Sequence, residues 1–423
     1  MATTAEASSP WRERRFLVFA AGNSLNNIGE AVYVTALPLL AYQLTGSLTT
    51  MSLLAALTPA AILLGPVIGV VIDRHGSRAV VLPGLLLQLV AVIWLNIEVT
   101  RESAGGGTLL VLGAMIQIGA TLYQAGWMAG VPGMFPSHPT RARGTLSSLF
   151  IITSVVGPVL VAAALSQIGY VGLLWINAVT FLAPIAVWLG GIRPPAPTPA
   201  PPAESGSVSR FVGDLGEGWR ILRARRVLFL STLVGLPMLS VGGVGTVALI
   251  IFDLRGRQGV SADHVGIILA LFRIGAVVGS LIVSQARHFE VRRWLTITAI
   301  GTTAALLLLS VPVLPVVLVG LTAFGAMQGA RMAMSAMAMV KYLPGNALGR
   351  VHGLLDLIGG IPVVIAPLVI PSIATGIGSG ATFLLLGAVG SVGIVALVRC
   401  WPDLLGGAAD DAKLEHGPVS PAQ

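Results

Sequence analysis

Four polar side chains in an otherwise apolar run carry the first chemical signal of this chain. Asn23, Asn26, Asn27 and Glu30 stand three and four residues apart, which puts them on one face of a helix. A polar stripe on an apolar helix must face a bundle interior or water. At 1.5 Å rise per residue, Glu30 lies ~21 Å in from Phe16, deep within a bilayer. Desolvation there penalises the ionised carboxyl. The group therefore has two readings: it takes up and releases a proton as its surroundings open, or it ties helices together through a hydrogen bond.

Arg273, Arg331 and Asp356 are the other ionisable residues that fall inside apolar runs, and each is costly enough there to need a purpose. Arg273 suits a counter-charge for Glu30, a contact for an anionic substrate group, or a partner for backbone carbonyls at a helix break. Arg331 follows Gln328-Gly329, and with Asp356 on the neighbouring run it has two readings: a structural salt bridge, or a transport role in which Gln328 and Arg331 line the substrate cavity and Asp356 belongs to the gate. Gln117, Thr121 and Gln124 repeat at four and three, a second polar stripe. Met327, Met332, Met334, Met337 and Met339 crowd one run; methionine adapts to varied apolar ligands, and it also simply packs. Tyr33, Trp127 and Phe324 are candidate walls of a hydrophobic pocket.

The elements that must position these residues are long apolar helices. Of 423 residues, 55% are hydrophobic and 10% charged, with mean hydropathy +0.88; a soluble domain carries about 25% charge. A span needs about 20 apolar residues. Twelve runs qualify, at 16–41, 48–71, 79–98, 108–134, 144–167, 171–190, 227–251, 262–284, 294–312, 315–340, 350–371 and 381–400. The first run is too long for a signal peptide core and reads as a retained helix. The single Cys400 excludes an internal disulfide.

Orientation follows from the basic residues. Of the 25 Lys and Arg residues, Arg101, Arg255 and Arg257 fall on one side and Arg273 and Arg331 within spans. The remainder sit on the other side, which the positive-inside rule makes cytoplasmic with both termini. That distribution accounts for the net charge of +8 without nucleic acid, and leaves attraction to anionic lipid. The expected organisation is a cytoplasmic segment 1–15, a six-helix bundle 16–192, a linker 193–226, a second bundle 227–400 and a tail 401–423. The linker opens on a stiff Pro-rich stretch, and from Gly218 it reads as a basic helix along the membrane surface. The halves echo each other: Gly65-x-x-x-Gly69 recurs as Gly275-x-x-x-Gly279, and Pro136 with Arg143 as Pro344 with Arg350.

Between the second and third runs stands Gly69-Val-Val-Ile-Asp73-Arg74-His-Gly76-Ser-Arg78. Gly69 is read as a point of close helix approach, Asp73 and Arg74 as a charge pair at the surface, Gly76 as a tight turn and Arg78 as a cytoplasmic cation. This decapeptide resembles the loop after the second helix of major facilitator superfamily transporters. The resemblance implies an all-α membrane fold of twelve helices in two pseudo-symmetric bundles, with substrate bound between them. It also implies that Asp73 caps the cytoplasmic start of span 11, close to Asp356, and that Arg143 braces it as a gate.

Gly157-Pro158 in span 5 resembles the signature of proton-coupled drug antiporters of that superfamily. Thr153, Val161 and Ala162 replace glycines of that signature, and span 4 lacks its arginine, so coupling rests on Glu30. The helix 1 pattern followed by Gly65-Pro-Val-Ile-Gly-Val-Val-Ile-Asp-Arg looks most like bacterial macrolide and multidrug exporters. The function so implied is proton-driven efflux of small amphipathic compounds by a monomer in the bacterial inner membrane, with no cofactor. Export of a siderophore or self-made natural product is the near alternative, and a membrane sensor or lipid handler the distant one. No Gly-x-x-x-x-Gly-Lys loop points to ATP, no acid–base pair points to an enzyme, and His138, His264, His288 and His352 read as loop residues without metal-ligand spacing.

Overall fold

The computed structural model describes residues 10–194, 207–224, 228–229, 231–232, 235, 241, 244–286, 290–343 and 348–400. Among them the secondary structure is helical throughout. In chain order the elements are α1 (Arg14–Thr45), α2 (Leu48–Ile62), α3 (Gly65–His75), α4 (Arg78–Thr100), α5 (Gly106–Met134), α6 (Pro139–Thr180) and α7 (Leu182–Leu189). There follow α8 (Ser207–Ala224), α9 (Val244–Gly256), α10 (Ala262–Ser284), α11 (Val291–Ser310), α12 (Leu314–Tyr342), α13 (Leu348–Ile377) and α14 (Ser379–Cys400).

Twelve membrane spans result. Seven helices are long and apolar enough to cross a bilayer, and one of these, residues 141–189, is two spans joined at a kink. Leu48–Ala61 and Ser379–Val395 are shorter apolar helices. α9 is the described part of another. The last is α1, which its own polar stripe keeps off the apolar count.

Three expectations change against the coordinates. Span 2 is not continuous: α2 stops at Ile62 and α3 starts at Gly65, with Pro66 in its first turn, where a missing N–H costs nothing. Spans 5 and 6 have no loop between them; Gly169 alone, at φ 64° and ψ −177°, makes the joint. The linker helix begins at Ser207, not Gly218, and packs on α13 and α3. Its Leu222 is fully buried in an apolar cluster with Leu228, Leu295, Met334 and Leu354, so its apolar face meets protein. The Pro-rich stretch 195–206 and the tail 401–423 lie outside the described residues.

Within the halves, α1 packs on α6, α4 on α5, α10 on α12, and α11 on α12 and α14. Between the halves, α6 meets α10, while α2 meets α13 and α9. The α6–α10 and α2–α13 pairs are related by the exchange of one half for the other, as two repeats require. At the end away from the basic loops the halves are pinned together. Tyr42 of α1 makes an edge-on contact with Phe252 of α9 (5.9 Å), and the Arg255 guanidinium lies 5.7 Å from the centre of the Tyr42 ring. Beside them, buried Asp253 accepts from Arg257 (2.8 Å), Gln258 (2.9 Å) and Ser379.

Candidate functional site

A cavity of about 110 Å³ lies where the halves meet. Six spans of both halves wall it, through Tyr33 of α1, Thr58 of α2, Gln117 of α5, Pro158 of α6, Ile251 of α9 and Phe272 and Arg273 of α10. Most of the wall is apolar, with a few polar groups placed on it, the usual make-up of a small-molecule site. Gln117 donates from Nε2 to Thr58 Oγ1 at 2.7 Å, which joins α5 to α2 across the cavity edge. The Arg273 guanidinium lies 5.8 Å from the Phe272 ring and forms no ion pair among the described residues. The expected pairing of Arg273 with Glu30 is therefore not made.

Glu30 stands one turn before Tyr33, half-buried, and within electrostatic range of the Tyr33 and Tyr123 hydroxyls. Its neighbours in sequence explain how α1 is held. A Cβ on Gly29 would collide with Thr180, and one on Gly157 would collide with Ala31. α1 is thus gripped on both faces beside the carboxyl. Asn23 accepts from the Tyr123 hydroxyl at 2.9 Å. The amide groups of Asn26 and Asn177 are both buried without a hydrogen-bond partner among the described residues. Asn23 and Trp127 line a separate recess of about 20 Å³ inside the first half.

The remaining candidates fall in three places. Thr121 bonds back to the Gln117 carbonyl, Gln124 is exposed, and Phe324 is fully buried against Phe272 as core rather than cavity wall. Arg331 donates from Nε and Nη2 to Gln328 Oε1 at 3.2 and 3.1 Å. It faces a second cavity of about 380 Å³ at the basic end of the other half, together with Met334 and Met339. The expected Arg331–Asp356 bridge cannot be drawn from these contacts; the side chain of Asp356 lies outside the described residues, as does that of Asp73.

Around the basic turn, Gly76 caps α3 at φ 76° with its N–H on the Ile72 carbonyl, a conformation that needs glycine. Arg74 is exposed, and Arg143 is exposed at the start of α6. Arg78 donates to the Pro194 carbonyl, tying the turn to the end of the first half. Gly69 departs from expectation: a Cβ there would meet nothing within 4 Å. Pro158 instead makes the close approach, its carbonyl lying 3.0 Å from where a Cβ on Gly266 of α10 would sit. His138 lies in the turn before α6, at its N-cap position with Nε2 3.3 Å from Glu13, whereas His264 and His352 lie within α10 and α13 rather than in loops. His288 lies outside the described residues.

The model of the Major Facilitator Superfamily matches this chain over residues 19–256 and 238–420, covering both halves. The chain belongs to the major facilitator superfamily. It is a multi-pass membrane transporter of that group. Solved structures agree on the fold. A nucleoside transporter, NupG, superposes with TM-score 0.71 at 13% identity, over 92% of this chain and 100% of the other. A POT family transporter solved in complex with a thioalcohol-conjugated peptide gives 0.71 at 16% identity, over 93% and 97%. A bacterial homologue of the human lysosomal transporter Spinster, inward-facing and unoccupied, gives 0.63 at 13%, over 93% and 96%. No curated protein sequence matches significantly.

Tyr123, Thr58 and Asn177 were not singled out from sequence. Tyr123 lies inside the Gln117–Gln124 stripe, and Asn177 is an asparagine in an apolar span, so both carried the signal that marked Asn23. Thr58 carried none, since a threonine in an apolar helix normally bonds to its own backbone.

Proposed function

We propose that the protein is a proton-coupled exporter of small amphipathic compounds, working by alternating access from a bacterial inner membrane with the basic end in the cytoplasm. The observation that carries this reading is the placement of Glu30 one helical turn from Tyr33, which walls the cavity between the halves. A carboxyl at that position changes its hydration whenever the cavity opens or closes, and a change of hydration is a change of proton affinity. Proton binding is then linked to the state of the cavity, and by reciprocity the state of the cavity to the proton gradient. The closed far end, pinned by Tyr42, Phe252 and Arg255, supports a resting form that faces the basic side. The mostly apolar wall supports a hydrophobic or amphipathic substrate, and the resemblance to macrolide and multidrug exporters supports the outward direction. A monomer suffices, since each half contributes to the cavity.

The test is accumulation of dyes and antibiotics in efflux-deficient cells expressing the protein. Wild type is expected to lower accumulation at least several-fold, and a protonophore to abolish the difference. Glu30→Gln is expected to behave as the empty vector at normal expression. Full pH-driven transport by Glu30→Gln would remove the carboxyl from the mechanism.

A further inference from the structure

The larger cavity, at the basic end of the second half, has a chemistry that the coupling carboxyl does not explain. Its volume is about 380 Å³, and it is walled by Leu295, Met334, Met339 and Leu355, with Ser335 and Arg331 among them. A volume near that size accepts a small organic molecule. Arg331 lies eleven residues inside the Tyr342 end of α12, ~17 Å along the axis, too deep for its head group to reach the interface by stretching. Its hydrogen bonds go to one neutral oxygen, Gln328 Oε1, shared by Nε and Nη2. No carboxylate lies within ion-pair distance of it among the described residues. Guanidinium groups at such depth are expensive unless compensated, and the free edge of the planar fork is shaped for a two-oxygen anion. Gln328 fixes the other edge and so orients the fork.

We infer that this cavity binds amphipathic organic anions, with a carboxylate or phosphate on Arg331 and an apolar body among Met334, Met339, Leu295 and Leu355. The methionines accept bodies of different shape, while the fork demands the charge. The site adjoins the cavity between the halves: Pro59 of α2 lines the one and Thr58 the other. Arg273 gives that second cavity a cation too, so an anion leaving Arg331 meets a matching charge further in. This rests on the transporter reading above and narrows its substrate class to acids. It does not rest on Glu30.

The probe is pyrenebutyrate against its uncharged amide, titrated by fluorescence into the full chain held in phosphatidylcholine nanodiscs. The acid is expected to bind at least tenfold more tightly than the amide. Arg331→Gln should bring the acid down to the amide, and Arg331→Lys should recover part of the difference. Equal binding of acid and amide, or an Arg331→Gln variant that still prefers the acid, overturns the proposal. So does a tenfold gain of acid affinity in Asp356→Asn, which would mean the guanidinium is already neutralised within the protein. Repeating the titration with phosphatidylglycerol in the nanodisc separates the sources of the anion: loss of acid binding there would make the site a lipid head-group site and overturn the soluble ligand. If the guanidinium variants fail to fold, the acid–amide ratio of the wild type still decides.

Discussion

The same glycine pair occurs once in each half and is used in opposite ways. In the second half, Cβ atoms on Gly275 and Gly279 of α10 would collide with the carbonyls of Thr322 and Ala326, and on Gly325 and Gly329 of α12 with those of Phe272 and Ala276. Two small-xxx-small stripes are pressed backbone to backbone, the packing that substitutes for hydrophobic force inside lipid. In the first half, Gly65 and Gly69 meet nothing within 4 Å, and the helix that carries them is a separate piece after a break at residues 63–64. The first half makes its own close weld elsewhere, between Gly84 of α4 and Gly119 of α5, whose would-be Cβ atoms lie 2.7 Å from each other's carbonyl oxygens. A repeated motif thus marks a fixed joint in one copy and a loose, basic-end segment in the other. Within span 2 it is α3, not α2, that lacks this backbone-to-backbone contact.

Substitutions at the two pairs test this contrast most directly. Gly279→Val should leave little monodisperse protein after extraction in mild detergent, because neither backbone can retreat and overpacking costs about 1–3 kcal/mol or more. Gly69→Val should purify as wild type with an unchanged melting temperature. A Gly69→Val variant as unstable as Gly279→Val would restore Gly69 as a packing position and erase the asymmetry. A smaller effect is expected at Gly76, whose φ and ψ suit glycine alone. Gly76→Ala should cost about 1–3 kcal/mol, read as a lowered melting temperature, and should loosen α3 without touching α10. Smallest is Arg78→Gln, which removes the bond to the Pro194 carbonyl. A loss of about 1 kcal/mol and faster proteolysis near residue 194 are the expected readouts.

The fold was legible because bilayer length and charge sidedness are global constraints that single errors do not disturb. The break in span 2 was not, since Pro66 beside Gly65 is equally at home in a kinked helix or at a first turn. The linker helix was missed at its start because Gly213, Gly216 and Gly218 dilute its helical signal, and its apolar face only becomes evident against α13. In the site, Gln117 and Arg273 announced themselves as polar groups in apolar helices and Tyr33 as an aromatic wall, and they share one cavity. The same rule could not place Arg331, which faces a different cavity, nor tell that Arg273 and Glu30 stay apart, because helical spacing gives the face of a residue and not the partner opposite. The close approach credited to Gly69 illustrates the same limit: a missing Cβ permits contact and does not create it.

The Gly169 joint has one further consequence. The two legs of α6 share a single residue of slack; one leg presses Gly157 on Ala31 and the other presses Thr180 on Gly29. Residues 29 and 31 point to opposite sides of α1, so one hairpin holds the helix like the jaws of a vice, with Glu30 between them. The carboxyl is therefore stationary in the frame of the first half. On the proposed coupling role, water would reach it from one side and then the other by travel of the second half past a fixed point.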